Sequence, residues 1–264
     1  MPPLYSICIT NFNTEDSVRQ SLESIFNQVD ERFEIIIVDN CSNDASLNML
    51  REFDGKQIKL FVKRCSRGLG RQIAFENSSG KYMIGQMDMD DVFKHRLKEL
   101  LQIYHANFEG YMLETSDTII VAPRQLVNAI GGYKDLNFVE DHELCSRAAQ
   151  IGRFRFIDFK IKDCQIKEKK LNRRIRHIIE RRYSMFRECF RIGLGTRVIY
   201  ENFFKVTEVK KNLAGAPLLS LINSLVFPWA LINHWFYPQF HNEFFKTFHD
   251  ENYKVGLNES STSV

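Results

Sequence analysis

The sequence predicts an α/β fold: a doubly wound, mostly parallel sheet followed by a helical C-terminal region. Three observations predict it. Strand-like and helix-like segments alternate through roughly the first 160 of 264 residues. The run Phe33-Glu-Ile-Ile-Ile-Val-Asp39 is almost continuously apolar, as expected of a parallel strand buried on both faces. Beyond residue 160 the composition changes, first to a basic stretch and then to an uncharged one.

Taken in order, Leu4 to Thr10 is a short apolar strand and Thr14 to Gln28 a helix. Phe33 to Asp39 is the second strand and Ser46 to Phe53 a second helix. Gln57 to Lys63 alternates as a strand, and Arg67 to Ser79 is a helix stopped by Gly80. Lys81 to Met87 is a strand. Phe93 to Phe108 is an amphipathic helix with Leu97, Leu100, Leu101 and Tyr104 at helical spacing. Thr118 to Ala122 is a strand closed by Pro123, and Phe138 to Ile151 a helix ended by Gly152. This order implies parallel strands joined by right-handed crossovers, with ligands at the carboxyl ends of the strands. The expected organisation is a sheet domain over 1–165, a helical region over 166–255 and a polar, disordered tail over 256–264.

The net charge of +3 hides an asymmetry. Residues 1–159 carry 18 Lys/Arg against 23 Asp/Glu, whereas residues 160–211 carry 16 against 6, a net of +10. Such a block suits an anionic partner, either phosphates or a membrane surface. No nucleic-acid-binding module accompanies it, so nucleic acid is not expected. Within the block, Glu168 to Ile192 reads as a long basic helix. Next comes Asn212 to Phe236, 25 residues without Asp, Glu, Lys or Arg. Its length suits a membrane span, but Pro217, Asn223, Pro228, Asn233 and His234 reduce its apolarity. A span, an interfacial helix pair with Trp229, Trp235 and Tyr237 at the interface, and a buried hairpin all remain open. The six cysteines form no CxxC pair, which argues against a zinc site or disulfide framework and for a reducing compartment. Met1-Pro2-Pro3 leads straight into the first strand, so no secretion signal is expected, and the sequon at Asn258 reads as chance.

Five short segments carry chemistry. Asp88-Met89-Asp90-Asp91 follows a buried strand. Three carboxylates in four residues repel one another, and a hard divalent cation, Mn²⁺ or Mg²⁺, would neutralise them at Asp88 and Asp90. The plainer alternative is an acidic helix start. Thr10-Asn11-Phe12-Asn13 and Val38-Asp39-Asn40-Cys41-Ser42-Asn43-Asp44 are polar loops after the first two strands. Thr10, Asn11, Asn13, Asp39 and Asn40 can hydrogen-bond a base and ribose there, though each segment alone is an ordinary turn with a helix cap. Arg67-Gly68-Leu69-Gly70-Arg71 can bring backbone amides, that of Gly68 included, and the charges of Arg67 and Arg71 to phosphates, yet it lacks the dinucleotide GxGxxG pattern. Gly131-Gly132-Tyr133 precedes Glu140-Asp141, a carboxylate pair that either caps a helix or supplies a general base.

Together these segments resemble the family 2 glycosyltransferases, over residues 4 to about 159 and in the family's order. Thr10–Asn13 is similar to its first-strand segment, Phe33–Asp44 to its "FEIIVVDDGSTD" segment with Asn40 for the second Asp, and Asp88–Asp91 to its DxD motif. Gly131–Tyr133 is similar to its "GGF" segment, and Glu140-Asp141 to its "ED" motif. The resemblance implies the GT-A (nucleotide-diphospho-sugar transferase) fold and an inverting, metal-dependent transfer. The donor would be a UDP- or GDP-sugar, and the acceptor a lipid-linked or surface glycan at the cytoplasmic membrane face. It implies that Asp39 reads the base, Asp88 the ribose or metal, Asp90 the metal, and that Asp141, with Glu140 as fallback, deprotonates the acceptor. Three features depart from the pattern. Only 48 residues separate Asp91 from Glu140, Ser66 stands where the family often has Asn, and a third metal ligand has no clear counterpart. Two other readings stay open: an inactive nucleotide-sugar-binding or membrane-scaffold protein, and a nucleotidyltransferase. The latter wants a Gly-rich basic loop after the first strand, which Thr10–Asn13 is not.

Overall fold

A computed structural model describes residues 2–55, 58–164, 171–193, 196–199 and 216–236. Residues 212–215, Tyr237 and the tail from Gly256, all singled out by the sequence, lie outside the described residues. The described residues fall into two compact units. One holds residues up to 135 together with 140–164, and the other holds 136–139 and the helical residues from 171 onward.

The first unit is a sheet between two helical layers. Its elements run β1 (Tyr5–Asn11), α1 (Val18–Phe26), β2 (Phe33–Asp39), α2 (Ser46–Arg51), β3 (Lys59–Val62), α3 (Arg67–Glu76) and β4 (Tyr82–Asp88). There follow β5 (Asp91–Phe93), α4 (Leu97–Asn107), β6 (Met112–Thr115), β7 (Ile120–Pro123), α5 (Arg124–Ala129), α6 (Glu140–Gln150), β8 (Phe154–Ile157) and β9 (Lys162–Cys164). The strand period of two sorts side chains between faces. Ile7, Ile9, Ile35, Ile37 and Ile84 meet Leu22, Leu50, Leu100 and Tyr104 of α1, α2 and α4 on one side. Cys8, Ile36, Val38 and Met83 meet Ala74, Phe75, Val127 and Leu144 of α3, α5 and α6 on the other.

The sheet order is β3-β2-β1-β4-β7-β6-β8. Pairs β1–β2, β1–β4, β2–β3 and β6–β8 are parallel, while β7 runs antiparallel to β4 and β6. The sequence expected the Thr118–Ala122 strand to be parallel. It is not, because β6, which the sequence did not reveal, joins β7 through a tight turn. There the Thr115 amide donates to the Ile119 carbonyl and the Ile119 amide to the Thr115 hydroxyl (2.9 and 3.0 Å). The first helix also starts later than expected, since Thr14 to Ser17 form a turn before Val18.

The second unit contains α7 (Leu171–Arg191), α8 (Thr196–Ile199), α9 (Ala216–Asn233) and a 3-10 turn (His234–Phe236). Leu136, Phe186, Cys189, Phe190, Ile199, Ile222, Val226 and Ala230 form its core. Glu188, almost fully buried, accepts the amides of Asn137 and Phe138 (2.6 and 3.1 Å) and pairs with Arg187 and Arg191. Part of the basic stretch is thus internal to this unit. No described helix is long and apolar enough to cross a membrane.

Candidate active site

The sequence order β1, β2, β3 proceeds to one side of β1 and β4 returns to the other, which makes the carboxyl ends of β1 and β4 the topological switch point. Register sets the residues there: Asn11 stands opposite Asp39, and Thr10 opposite Asp88. The Thr10 hydroxyl donates to Asp88 (2.7 Å) and the Asn11 amide to Asp39 (2.6 Å).

The loops after β1 and β2 are tied into one surface. Asp39, fully buried, accepts the Ser42 amide and hydroxyl (2.8 and 2.7 Å) as well as Asn11. The Asn13 amide donates to Ser42, while the Asn13 side chain accepts the Asn43 amide (3.0 and 2.9 Å). Asn13 and Cys41 take φ of +53° and +52°, the left-handed turn conformation that Asn tolerates well. The Asn40 carboxamide accepts the Cys65 amide at 2.8 Å, joining this loop to the start of α3. These bonds fix the loop shape before any ligand arrives, as preorganised binding requires.

A bulge shapes the end of β4. Pairing with β1 passes from Ile7–Ile84 to Ile9–Met87, and Gln86 takes φ +65°. Beyond it, carboxylate oxygens of Asp88, Asp90 and Asp91 lie within 4.8 Å of one another. Asp90 is exposed, Asp88 half-buried and Asp91 buried. Burial lifts the Asp91 carboxyl above its ordinary value. Lys162 works against this at 3.0 Å, and the neighbouring Asp90 and Asp88 add to it. Lys162 reaches the cluster from β9, which pairs with β5, and it also donates to the Gln86 carbonyl (2.9 Å). Three hard oxygen donors, one of them exposed, fit Mn²⁺ or Mg²⁺.

Arg71 joins this cluster to the second acidic motif. Ser66 caps α3 by accepting the Leu69 amide (3.1 Å). Gly70 lets the helix lie against the sheet, because a Cβ there would come within 3.1 Å of Thr10 and 3.3 Å of Cys65. Close packing buries Arg71, and its guanidinium donates to Asp88 (3.2 and 3.3 Å) and to Glu140. Arg67 stands 3.9 Å from Glu140. Burial disfavours the Asp88 anion, but the charges of Arg71, Arg67 and Lys162 outweigh it and hold the carboxyl at about 2. Burial likewise lifts Glu140, to about 7, against the pull of Arg71, while the Arg71 guanidinium is itself raised despite its burial by Asp88 and Glu140. The two tendencies pull opposite ways on one pair. Arginine keeps its proton in proteins, so Arg71–Asp88 is the fixed charge pair and Glu140 the member that titrates.

Glu140 and Asp141 open α6. Val139, just before them, has φ +59°, an outlier for a β-branched residue that costs ~1–3 kcal/mol. Asp141 is half-buried. Burial disfavours its anion, but His142 and Arg71 prevail and lower its pKa. His142 is exposed and raised by the Asp141 charge. Behind them Glu114, at the end of β6, is 2% exposed and has one oxygen without a hydrogen-bond partner. Burial pushes it up to about 7, with His142 pulling it down and Asp141 adding to the rise. Gly131 and Gly132 take φ of +81° and +62°. A Cβ at Gly132 would strike the Gln72 carboxamide, which accepts the Tyr133 amide (2.7 Å), so this segment seats the chain on α3.

The structure therefore brings together Thr10, Asp88, Asp90, Arg67, Arg71 and Glu140, and separately Asn11, Asn13, Asp39 and Asn40. Gly68 is buried in the first turn of α3. The sequence named neither Lys162 nor Glu114 as a site residue, and it placed Asp91 in the acidic motif without assigning it to the metal. Lys162 disappeared into the charge count of the basic block, and Glu114 sits on a strand too short to show a period.

A mixed sheet of this order, with an acidic cluster at its switch point, defines the GT-A fold, and solved structures agree. The mannosyltransferase PcManGT of Pyrobaculum calidifontis, in complex with GDP-Man and Mn²⁺, superposes with a TM-score of 0.57 at 15% identity. That match covers 88% of this chain and 76% of that one. TarS 1–349 of S. aureus gives 0.52 at 18% identity, over 61% and 60%. The model of glycosyl transferase family 2 matches residues 6–149, and the chain belongs to that family. TuaG of Bacillus subtilis, named for teichuronic acid biosynthesis, is 26% identical over 44% of this chain and 49% of its own length. The Escherichia coli enzyme WfgD, a UDP-Glc:alpha-D-GlcNAc-diphosphoundecaprenol beta-1,3-glucosyltransferase, is 28% identical over 47% and 53%. The chain thus spans about half the length of these two curated relatives.

Proposed function

We propose that this protein transfers a sugar from a UDP- or GDP-sugar to a hydroxyl of a lipid-linked or surface glycan, with inversion, at the cytoplasmic face of the membrane. The observation that carries the reading is the Arg71 bridge, which holds the Asp88 cluster and the Glu140-Asp141 helix start in one electrostatic unit. WfgD, whose acceptor is linked to diphosphoundecaprenol, and the GDP-Man and Mn²⁺ complex of PcManGT support the substrate classes.

In this reading the edge formed by Asn11, Asn13, Asp39 and Asn40 receives the base and ribose. Asp88 and Asp90, with Asp91 beside them, would hold Mn²⁺ or Mg²⁺, which when bound supplies a Lewis acid to the diphosphate leaving group. Asp141 is the general base. Its lowered pKa keeps it ionised at neutral pH, ready to take the acceptor hydroxyl proton. The acceptor oxygen then bonds to the anomeric carbon on the face opposite the leaving group. The bond to the diphosphate breaks, and the nucleoside diphosphate leaves with the electron pair. Glu140 and Arg71 are positioning residues: Arg71 touches both Asp88 and Glu140, and Glu140 acts through Arg71.

The test pairs donor binding with turnover. UDP, GDP and their sugars with Mn²⁺ should raise the unfolding temperature, because a ligand of the folded state stabilises it. Asp141→Asn should keep that rise and lower nucleoside diphosphate release in the presence of a polyprenyl-diphosphate-sugar acceptor by ~10²-fold or more. A variant that loses the donor-induced rise while transfer persists would overturn the assignment of Asp141.

A further inference from the structure

The second unit carries a surface that the transfer reaction does not use. On α9, Ile222, Val226 and Ala230 recur every four residues and are buried in the unit's core. Water-facing positions on a helix packed this way are ordinarily polar. Here they are Leu221, Leu225, Trp229 and Ile232, exposed by 57, 68, 59 and 66%, and the chain continues into Trp235 and Phe236 at 69 and 81%. At 100° per residue the four helical positions share ~80° of the circumference, a single stripe along a helix ~27 Å long. Stripes of this size on soluble chains mark interaction sites. Both tryptophans of the protein lie on it.

Charge decides the occupant. Helix α7, against which α9 packs, carries Arg173, Arg174, Arg176, Arg181, Arg182, Arg187 and Arg191 in its sequence, with Glu180 and Glu188 as its only acids. Seven arginines against two glutamates give this helix a formal net charge of +5. A second copy of this chain would bring like charge beside like charge. An anionic bilayer brings the opposite charge, worth ~1 kcal/mol for each basic residue near the surface. Tryptophan at the end of an apolar stripe suits the headgroup level. A helix with one face packed in the unit's core and the other apolar and exposed suits the interface plane.

We infer that the exposed face of α9, centred on Leu225, Trp229 and Ile232, is a docking surface for an anionic lipid bilayer. The inference rests on the proposed function only for its purpose, which is to hold the protein where lipid-linked acceptors are concentrated. The surface itself is read from the second unit alone.

Because the two tryptophans report on this face, the intact protein is its own probe. Vesicles of phosphatidylglycerol and phosphatidylcholine should shift tryptophan emission to the blue, and brominated acyl chains should quench it. Pure phosphatidylcholine vesicles should bind at least about tenfold more weakly, and moderate salt should reduce binding to the mixed vesicles. Leu225→Glu/Trp229→Glu/Ile232→Glu alters only exposed side chains. It should lower co-flotation with the mixed vesicles by about tenfold or more while the UDP–Mn²⁺ thermal shift stays as in the wild type. Unchanged emission with anionic vesicles would overturn the inference. So would equal binding to neutral vesicles, or tryptophans already shielded from acrylamide in the free protein. A stable dimer that buries them would assign the face to a second copy instead. Absence of any thermal shift with UDP–Mn²⁺ and with GDP–Mn²⁺ in the wild type would count against the proposed function and leave the lipid result standing.

Discussion

Replacing Arg71 by methionine removes the guanidinium that Asp88 and Glu140 share and keeps much of the stem's packing. Both partners are committed to it: Glu140 is 2% exposed, and the side chain of Asp88 is 26% exposed. Removing one member of a buried pair costs ~3–5 kcal/mol, since the remaining charge stays desolvated. The Asp88 shift gives an independent scale. A carboxyl held at about 2 instead of 3.8 has its anion stabilised by ~2.4 kcal/mol, a contribution that Arg67, Lys162 and Thr10 share with Arg71. The sign follows from linkage. A folded-state value below the unfolded one stabilises the protein above pH ~4, and that stability is lost as pH falls toward 2. Glu140, at about 7 even beside Arg71, would become neutral through the whole neutral range without it, which softens the damage at lower pH. Arg71→Met should therefore lose ~3 kcal/mol or more at pH 8 and clearly less at pH 5, measured by urea unfolding followed by far-ultraviolet circular dichroism. Tryptophan emission is unsuitable here, because both tryptophans report on the second unit. A variant within ~1 kcal/mol of wild type at pH 8 would refute the reasoning, since no buried ion pair could then depend on Arg71.

Two further outcomes follow from the same geometry. Asp90→Ala removes the exposed member of the acidic cluster and should abolish the Mn²⁺-dependent part of the UDP thermal shift with little change in metal-free stability, read by thermal denaturation with and without Mn²⁺. Glu114→Gln should stabilise the protein above pH 7 by up to ~3 kcal/mol and change it little near pH 4.5, because a carboxyl raised from 4.5 to about 7 loses folded-state stability as pH rises between those values; equal effects at both ends in pH-resolved urea titrations would count against the buried, titrating carboxyl.

The motifs were legible where chemistry is local. Asp88, Asp90 and Asp91 announce themselves because three like charges at the end of an apolar strand have no packing explanation. Asn11 and Asp39 were placed correctly at strand ends because β1 and β2 are long apolar runs whose ends are plain. Arg71 was legible as a cation near the site, but its burial was not. Contact between residues 71 and 140 depends on the packing of α3 against α6, and no local signal encodes it. Strands β5, β6, β8 and β9 have three or four residues each, too few for a period of two to stand out. Their absence from the sequence reading led to the wrong direction for β7 and hid the route by which Lys162 arrives.

Lys162 shows why a summed charge misleads. By sequence it belongs to the block of net +10, yet its side chain is only 8% exposed and sits on Asp91. Counted by position, it belongs to the acidic site. That site holds five carboxylates, Asp88, Asp90, Asp91, Glu140 and Asp141, and three cations, Arg67, Arg71 and Lys162, for a formal net of −2 with His142 neutral. The cations do not neutralise the cluster evenly. Arg71 and Arg67 act on the Asp88–Glu140 side and Lys162 on Asp91, while Asp90 stays exposed with no side chain bonded to it among the described residues. Residual negative charge is therefore concentrated where a divalent cation could reach it from solvent, and the internal cations keep the remaining carboxylates ordered until it does. In the proposed transfer, fixed counter-charges of this kind would reduce the reorganisation needed when the leaving group's charge develops, which is the physical basis of preorganised electrostatic catalysis.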